Sequence, residues 1–287
     1  MRYYLVTTDH LSDKLLFKDD EDFKAGMNFT PVIALALDVL VLAFILMSNH
    51  VHYIIGCRNK KEALNYITMF KNLYGRYFCR RYKVKNYLRR INVDIKELEE
   101  YDGGLENGVA YVLMNSVAAK ICMRAEDYPW GSGNCYFNLM PVAGTPITEM
   151  TKRAQIKLLH SKQNVNLKWI VTDEGYINPR SYVARQTVEA LYRTPGQMRH
   201  ALLNSSKAKA RVESSAGIPA FRDQIIQESL KDLCVTLFEK KTVDSLTQEE
   251  KAELLKQLRW RFSADIKQLC RVTGIRYEEA ASLLDRL

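Results

Sequence analysis

The apolar positions of the chain change their spacing several times, and each change predicts an element. "RYYLVTT" at the N-terminus is aromatic and β-branched and predicts a strand, followed by the charged connection "DHLSDKLLFKDDED". From Asp20 towards Asp38 the spacing becomes helical, with Phe23, Met27, Val32 and Leu35 roughly on one side and Pro31 as a point where the helix breaks or restarts. "LVLAFILM" and "VHYII" predict sheet-interior strands separated at Ser48 and Asn49, or one kinked strand. A long helix with a basic tail follows over Arg58 to Arg90, and "VDIKELEE" predicts a short acidic helix. Asp102, Gly103 and Gly104 break it, and "LENGVAYVLMNSVAAKIC" opens another helix with Glu106 in its first turn. "EDYPWGSGNCYFN" is rich in turn residues, and "LMPVAGTPIT" has the composition of a linker. Residues 150–210 carry helical patches around the basic stretch "NSSKAKAR", and the last third is helical. Its end predicts a helix capped near Ser263, a break at Gly274 and a second helix to the terminus, the pattern of a helix-turn-helix.

Composition narrows the classes. The 287 residues, 47% hydrophobic and 26% charged, suffice for two modest domains or one with a large appendage. A formal charge of +9 favours a polyanionic partner, nucleic acid ahead of an anionic membrane. Cys57, Cys79, Cys122, Cys135, Cys234 and Cys270 form no CxxC pair, which argues against a disulfide framework or zinc knuckle and for a reducing cytoplasm. "PVIALALDVLVLAFILM" is shorter than the ~20 residues of a spanning helix and carries Asp38, so it reads as core rather than membrane. "MRYYLVTTDH" lacks the apolar segment and cleavage site of a secretory signal, so export is not expected.

Against this background the five histidines are unevenly used. His50 and His52 stand one residue apart in "FILMSNHVHYIIG"; in a strand they share a face with Cα atoms ~6 to 7 Å apart, and Val51 faces the other way. Two imidazoles so placed converge on one ion, or form a hydrogen-bonded pair at a sheet surface. In "AYVLMNS", Tyr111 and Asn115 are four apart, which on a helix stacks a phenol and an amide on one face ~6 Å apart along the axis. Spacing alone does not select Tyr111 among sixteen tyrosines. His10, His160 and His200 have no evident partner.

"LMSNHVHYII", then "YVLMNSVAA" and "DYPWGS", resemble in order the motifs of the single-tyrosine HUH transposases of the IS200/IS605 group, closest to the REP-associated tyrosine transposases. Their pattern runs Met-Pro-Asn-His-hydrophobic-His, Tyr-Ile-x-x-Asn-Pro and Tyr-Pro-Trp-Ser-Ser. The similarity covers about residues 1–140, and Ser48, Ser116 and Gly131 depart from the pattern. The resemblance implies an α/β (α+β) HUH/ferredoxin-like catalytic domain, an antiparallel sheet flanked by helices, over residues 1–140. A segment of unclear role would follow over 141–215, and a helical C-terminal region over 216–287. It implies His50, His52 and Asn115 as metal ligands, Tyr111 as nucleophile, and Mg²⁺ or Mn²⁺ as cofactor. The reaction implied is nicking and rejoining of single-stranded or hairpin DNA through a 5′-phosphotyrosine.

Further expectations attach to this reading. Eleven Lys and Arg against Glu62 between Arg58 and Arg90 predict a positive face, where Lys71, Arg76, Arg80, Arg81, Arg89 and Arg90 follow a DNA backbone and Tyr77, Tyr82 or Tyr87 stack on bases. The alternative for that helix is a solvated face with Leu64, Ile67, Tyr74 and Phe78 packed inward. The Gly103–Gly104 pair reads as a hinge for the Tyr111 helix. Tyr128 and Trp130 are expected to pack a turn on the core, and Leu269, Ile275 and Leu283 to form a small C-terminal core. A homodimer is the preferred assembly, and a cytoplasmic, nucleoid-associated location follows from the partner. The rival readings are a relaxase or replication-initiator nickase with the same chemistry, and a domesticated hairpin binder that does not cut.

Overall fold

The computed structural model describes residues 1–9, 11, 14–88, 91–99, 103–162, 165–205 and 221–285. Strands β1 (Arg2–Thr8), β2 (Leu40–Met47), β3 (His50–Cys57) and β4 (Val93–Leu98) form one antiparallel sheet in the order β2-β3-β1-β4. Helix α1 (Asp20–Leu37) joins β1 to β2, and α2 (Lys60–Tyr82) joins β3 to β4, so each helix spans one intervening strand. The protein is therefore mixed α/β, with helices flanking an antiparallel sheet.

Strand alternation assigns the two layers. Tyr53 of β3 meets Tyr66 and Phe70 of α2 with ring centroids 5.3 and 5.7 Å apart, and its hydroxyl lies 3.1 Å from Thr30 of α1. Both long helices thus cover the face carrying Val51, Tyr53 and Ile55. Helix α3 (Gly104–Leu113) covers the other: a Cβ on Gly108 would come within 2.6 Å of Leu98 and 3.4 Å of Ile54. A short helix, α4 (Asn115–Ala118), and turns containing Tyr128 and Trp130 follow. Both aromatics are buried as expected, Trp130 stacked on Phe23 at 5.0 Å and Tyr128 donating to the Leu46 carbonyl at 2.8 Å. Gly131 bridges to Ile45 so closely that a Cβ would stand 2.9 Å from the Phe44 carbonyl oxygen, which explains glycine there.

Beyond residue 140, a small ladder of β5 (Thr145–Pro146) and β6 (Ile170–Val171) and helix α5 (Lys152–Leu159) pack Ile147, Leu159, Trp169 and Ile177 against Val32 of α1. Buried Asn28 fastens them, accepting from Ile177 N at 2.8 Å and donating to Leu158 O at 3.2 Å. Helices α6 (Arg185–Tyr192) and α7 (Pro195–Leu203) add Val188, Tyr192 and Met198 to the sheet's own core. The C-terminal helices α8 (Asp223–Phe238), α9 (Gln248–Phe262), α10 (Ile266–Thr273) and α11 (Tyr277–Asp285) enclose a separate core. Leu269, Ile275 and Leu283 all belong to it.

Several local expectations are corrected. "VDIKEL" is strand β4, because six residues pair with the free edge of β1 and Val93 and Ile95 alternate with Asp94 and Lys96; ladder formation outweighs the helical propensity of Lys, Glu and Leu. Helix α1 runs unbroken through Pro31, since burial of Phe29, Val32 and Ile33 offsets the one backbone bond proline removes. Ser263 ends α9 in a left-handed conformation (φ 49°) rather than opening the next helix, which Asp265 caps. The apolar stretch 31–47 is divided among α1, a left-handed turn at Asp38 (φ 52°) and β2. Among the described residues no helix is long and apolar enough to cross a membrane.

The two long helices are joined at one end by an ion cluster. Asp19 caps α1 and Asp22 is fully buried in its first turn. Arg81, near the end of α2, reaches Asp19 through two bonds of 2.6 and 2.7 Å and Asp22 at 2.6 Å, and the Tyr82 hydroxyl donates to Asp22 at 2.9 Å. Burial raises the Asp22 carboxyl above the ordinary carboxylate range, against the lowering from its hydrogen bonds with Lys18 N, Tyr82 and Arg81. Arg81→Met should therefore cost about 2–3 kcal/mol in urea unfolding at pH 7, less than a wholly buried pair because Arg81 remains partly exposed. Without its cation the folded-state Asp22 binds its proton more tightly than the unfolded one. The added cost should then appear as pH rises from the unfolded carboxyl value of 3.8 through the raised folded one, and shrink in acid.

Candidate active site

Strand β3 is buried along its whole length, so any polar side chain on it must find partners inside the protein. His50 and His52 are 4% and 1% exposed, point to the α3 side, and stand perpendicular with ring centroids 4.6 Å apart. They are thus on one face, as strand periodicity requires. The Nδ1 atom of His52 lies 3.2 Å from Thr7 Oγ1, directly across the ladder on β1. The Nδ1 atom of His50 lies 2.8 Å from Asn49 Oδ1. Because Asn49 Nδ2 donates to the Leu11 carbonyl at 2.8 Å, the amide oxygen must face His50, and the histidine must be the donor. Neutral His50 is therefore the Nδ1–H tautomer, with its lone pair on buried Nε2.

Tyr111 sits in the last turn of α3, partly exposed, its ring 5.6 Å from that of His52 and perpendicular to it. The phenol and the imidazoles share one side of the sheet. The single helix expected through Tyr111 and Asn115 is interrupted: α3 ends at Leu113, Met114 is the joint (φ −83°, ψ 3°), and Asn115 opens α4. The two residues still meet, because Asn115 Nδ2 donates to the carbonyls of Tyr111 at 2.8 Å and Val112 at 3.2 Å. Both bonds occupy the amide nitrogen and turn the amide oxygen away from α3. Ser116, at the position where the motif has proline, is buried and accepts from the Cys122 thiol.

No family model, curated protein or solved structure matches the chain. A donor set of two imidazole nitrogens and one amide oxygen would suit Mn²⁺ and accommodate Mg²⁺ when substrate and water oxygens complete the shell. Among the described residues, no three or more His, Cys, Asp or Glu side chains gather to hold a metal. The hydrogen bonds at both Nδ1 atoms are what fixes ligating histidines in orientation.

Among the described residues, the face beside the histidines is only partly covered. Tyr3, Leu5 and Thr7 of β1 are half-buried on that side, and beyond them Asp94 and Lys96 of β4, paired with Thr7 and Leu5, are exposed. Lys96 is a cation on the histidine face, set there by strand pairing with Leu5 and not evident from a helical pattern over "VDIKELEE". Of the residues expected to follow DNA, Lys71, Arg76, Arg80 and Arg81 are carried by α2 on the other layer. Arg76 and Arg80 are exposed. Arg81 is committed to Asp19 and Asp22, so its role here is structural. Lys71 donates to the Ile91 carbonyl just before β4, at the sheet end where β1 stops and β3 starts, and burial lowers the pKa of its ammonium. Arg89 and Arg90 lie outside the described residues, as do His10 and Asp102. Tyr77, Tyr82 and Tyr87 all hydrogen-bond to the segment Leu15–Asp22 and serve the fold. His160 packs on Tyr77 at 4.9 Å, and His200 Nε2 lies 3.0 Å from Asn204.

Gly103 takes a left-handed conformation (φ 69°) at the start of α3, and a Cβ on Gly104 would stand 2.8 Å from the Glu99 carbonyl oxygen, so static geometry alone calls for both glycines.

Long-range ¹H–¹⁵N NMR should report the His50 ring as the Nδ1–H tautomer in the neutral protein. In Asn49→Ala the Nε2–H form should appear alongside it, while the His52 pattern stays as in the parent.

Proposed function

We propose that the protein is a metal-dependent single-stranded DNA strand transferase that nicks and rejoins DNA near hairpins through a 5′-phosphotyrosine at Tyr111. The observation that carries this reading is the placement of the Tyr111 ring against His52, on the same sheet face as both imidazoles. The β1-α1-β2-β3-α2-β4 order, with a tyrosine-bearing helix on the open side of the sheet, agrees with an HUH/ferredoxin-like catalytic domain. The basic charge and the open face beside β1 suit a polyanionic strand.

In this reading His50, His52 and Asn115 hold a divalent ion, Mg²⁺ or Mn²⁺. When bound, the ion supplies Lewis-acid stabilisation of charge on the scissile phosphate. The chain's own residues do the rest. Thr7 and Asn49 keep the imidazoles oriented. Tyr111 Oη attacks phosphorus, the bond from phosphorus to the 3′ oxygen breaks, and the phenolic proton leaves to solvent as the 3′ oxygen gains one. The tyrosine ester conserves the energy of the broken phosphodiester, so a 3′-OH attacking it reverses the step and joins DNA without ATP. Lys96 on the open face, with Lys71 at the sheet end, would neutralise phosphates of the incoming strand.

Incubation with end-labelled single-stranded hairpin DNA and Mn²⁺ should give a covalent protein–DNA adduct that is absent in Tyr111→Phe. The adduct should fall by about 10²-fold in His52→Ala. Mn²⁺ should support the reaction at least as well as Mg²⁺. A gel shift without adduct in the parent chain would identify a hairpin binder that does not cut, and Mg²⁺ activity with Mn²⁺ failure would count against this donor set.

A further inference from the structure

The turn between β2 and β3, which delivers His50, is gripped from two sides. The loop after β1 holds one: Leu16 and Phe17 donate to the Ser48 carbonyl at 2.7 and 3.0 Å, and Leu11 N donates to the Asn49 carbonyl at 3.1 Å. The C-terminal helices hold the other. The Ser48 hydroxyl donates to Asp223 Oδ2 at 2.5 Å, across 175 residues of chain. Gln224, the next residue of α8, donates to the Phe17 carbonyl at 2.9 Å and so engages the same loop that engages the turn.

Asp223 is well fitted to this task. It is 3% exposed, and its carboxylate sits at the first position of α8, where the helix field favours negative charge. Gln268 donates to Oδ1 at 2.8 Å, and Arg271 to Oδ2 at 3.0 Å and Oδ1 at 3.4 Å, both from α10. Arg271 and Gln268 already compensate the buried charge within the C-terminal core. The remaining bond leaves that core and goes to a residue two positions before His50. From Ser48 the path is covalent and short: Asn49 follows, and its amide sets the His50 tautomer.

We propose that Asp223 is a positioning residue for the histidine site, acting through the Ser48 hydroxyl on the turn that holds Asn49 and His50. The C-terminal helical module is then a working part of the site. The consequence for metal affinity rests on the reading of His50 and His52 as ligands, whereas the consequence for the His50 tautomer does not.

The test uses the full chain. Ser48→Ala removes the hydroxyl at a half-buried position, and Ser48→Thr keeps it. Mn²⁺ is titrated by electron paramagnetic resonance of the free ion, and the His50 tautomer is read by NMR in the metal-free protein. Ser48→Ala should keep the parent circular dichroism spectrum, show mixed His50 tautomers and bind Mn²⁺ about tenfold more weakly. Ser48→Thr should match the parent in both readouts. Asp223→Ser, which withdraws the carboxylate from the turn, should reproduce the tautomer mixing. Parental His50 signals in Ser48→Ala would overturn the proposal, as would mixing in Ser48→Ala that Ser48→Thr fails to reverse. If the parent itself binds no Mn²⁺, the metal reading fails, and the tautomer comparison alone decides the positioning role.

Discussion

Burying two imidazoles on the central strand of a sheet is the constraint around which the rest is arranged. Each ring carries two nitrogens that lose water on folding, and a polar group left without compensation costs about 1–3 kcal/mol. The backbone of β3 is largely spent on the ladders with β1 and β2, and Val51 N donates to the Thr8 hydroxyl. Relief has to come from neighbours, Thr7 across the ladder and Asn49 in the adjoining turn. The same two-residue alternation that exposes the rings to α3 commits Val51 and Tyr53 to the opposite layer. A slip of one residue in register would drive both imidazoles into the aromatic core under α2.

The two faces of the sheet consequently do different work. The layer of α1 and α2 is closed, aromatic and locked by the Asp19–Asp22–Arg81 cluster, so the strongly basic α2 spends part of its charge on stability. The other layer is only partly roofed. Helix α3 lies over β2, β3 and the end of β4, and leaves the flank along β1 open beside the histidines. A closed side thus backs a partly open one that holds the phenol and the imidazoles together.

What could be read from the residues was whatever depends on local periodicity. The strands β1, β2 and β3, the common face of His50 and His52, and the small core of Leu269, Ile275 and Leu283 all follow from spacing of two or of three to four. Two of the differences share a cause, a partner far away in the chain. Val93–Leu98 is a strand because the edge of β1 waits for it, and Arg81 is structural because it bonds Asp19 and the buried Asp22 in the first turn of α1. The helix through Asn115 is interrupted at Met114, although the Asn115 side chain still bonds back across the joint to Tyr111. Nothing near Ser48 announces Asp223. Asn49 was visible within its motif, but its role needed the Leu11 carbonyl to orient the amide.

The 175 residues between Ser48 and Asp223 also have a meaning in time. Ribosomes release the chain from its N-terminus, and the four strands and the tyrosine helix are complete once residue 113 has emerged. The outer grip on the histidine turn is not, since Asp223, Gln268 and Arg271 come only with the final quarter. A polypeptide still being translated would therefore carry both imidazoles and the Tyr111 phenol while the bond from Ser48 to Asp223 has yet to form.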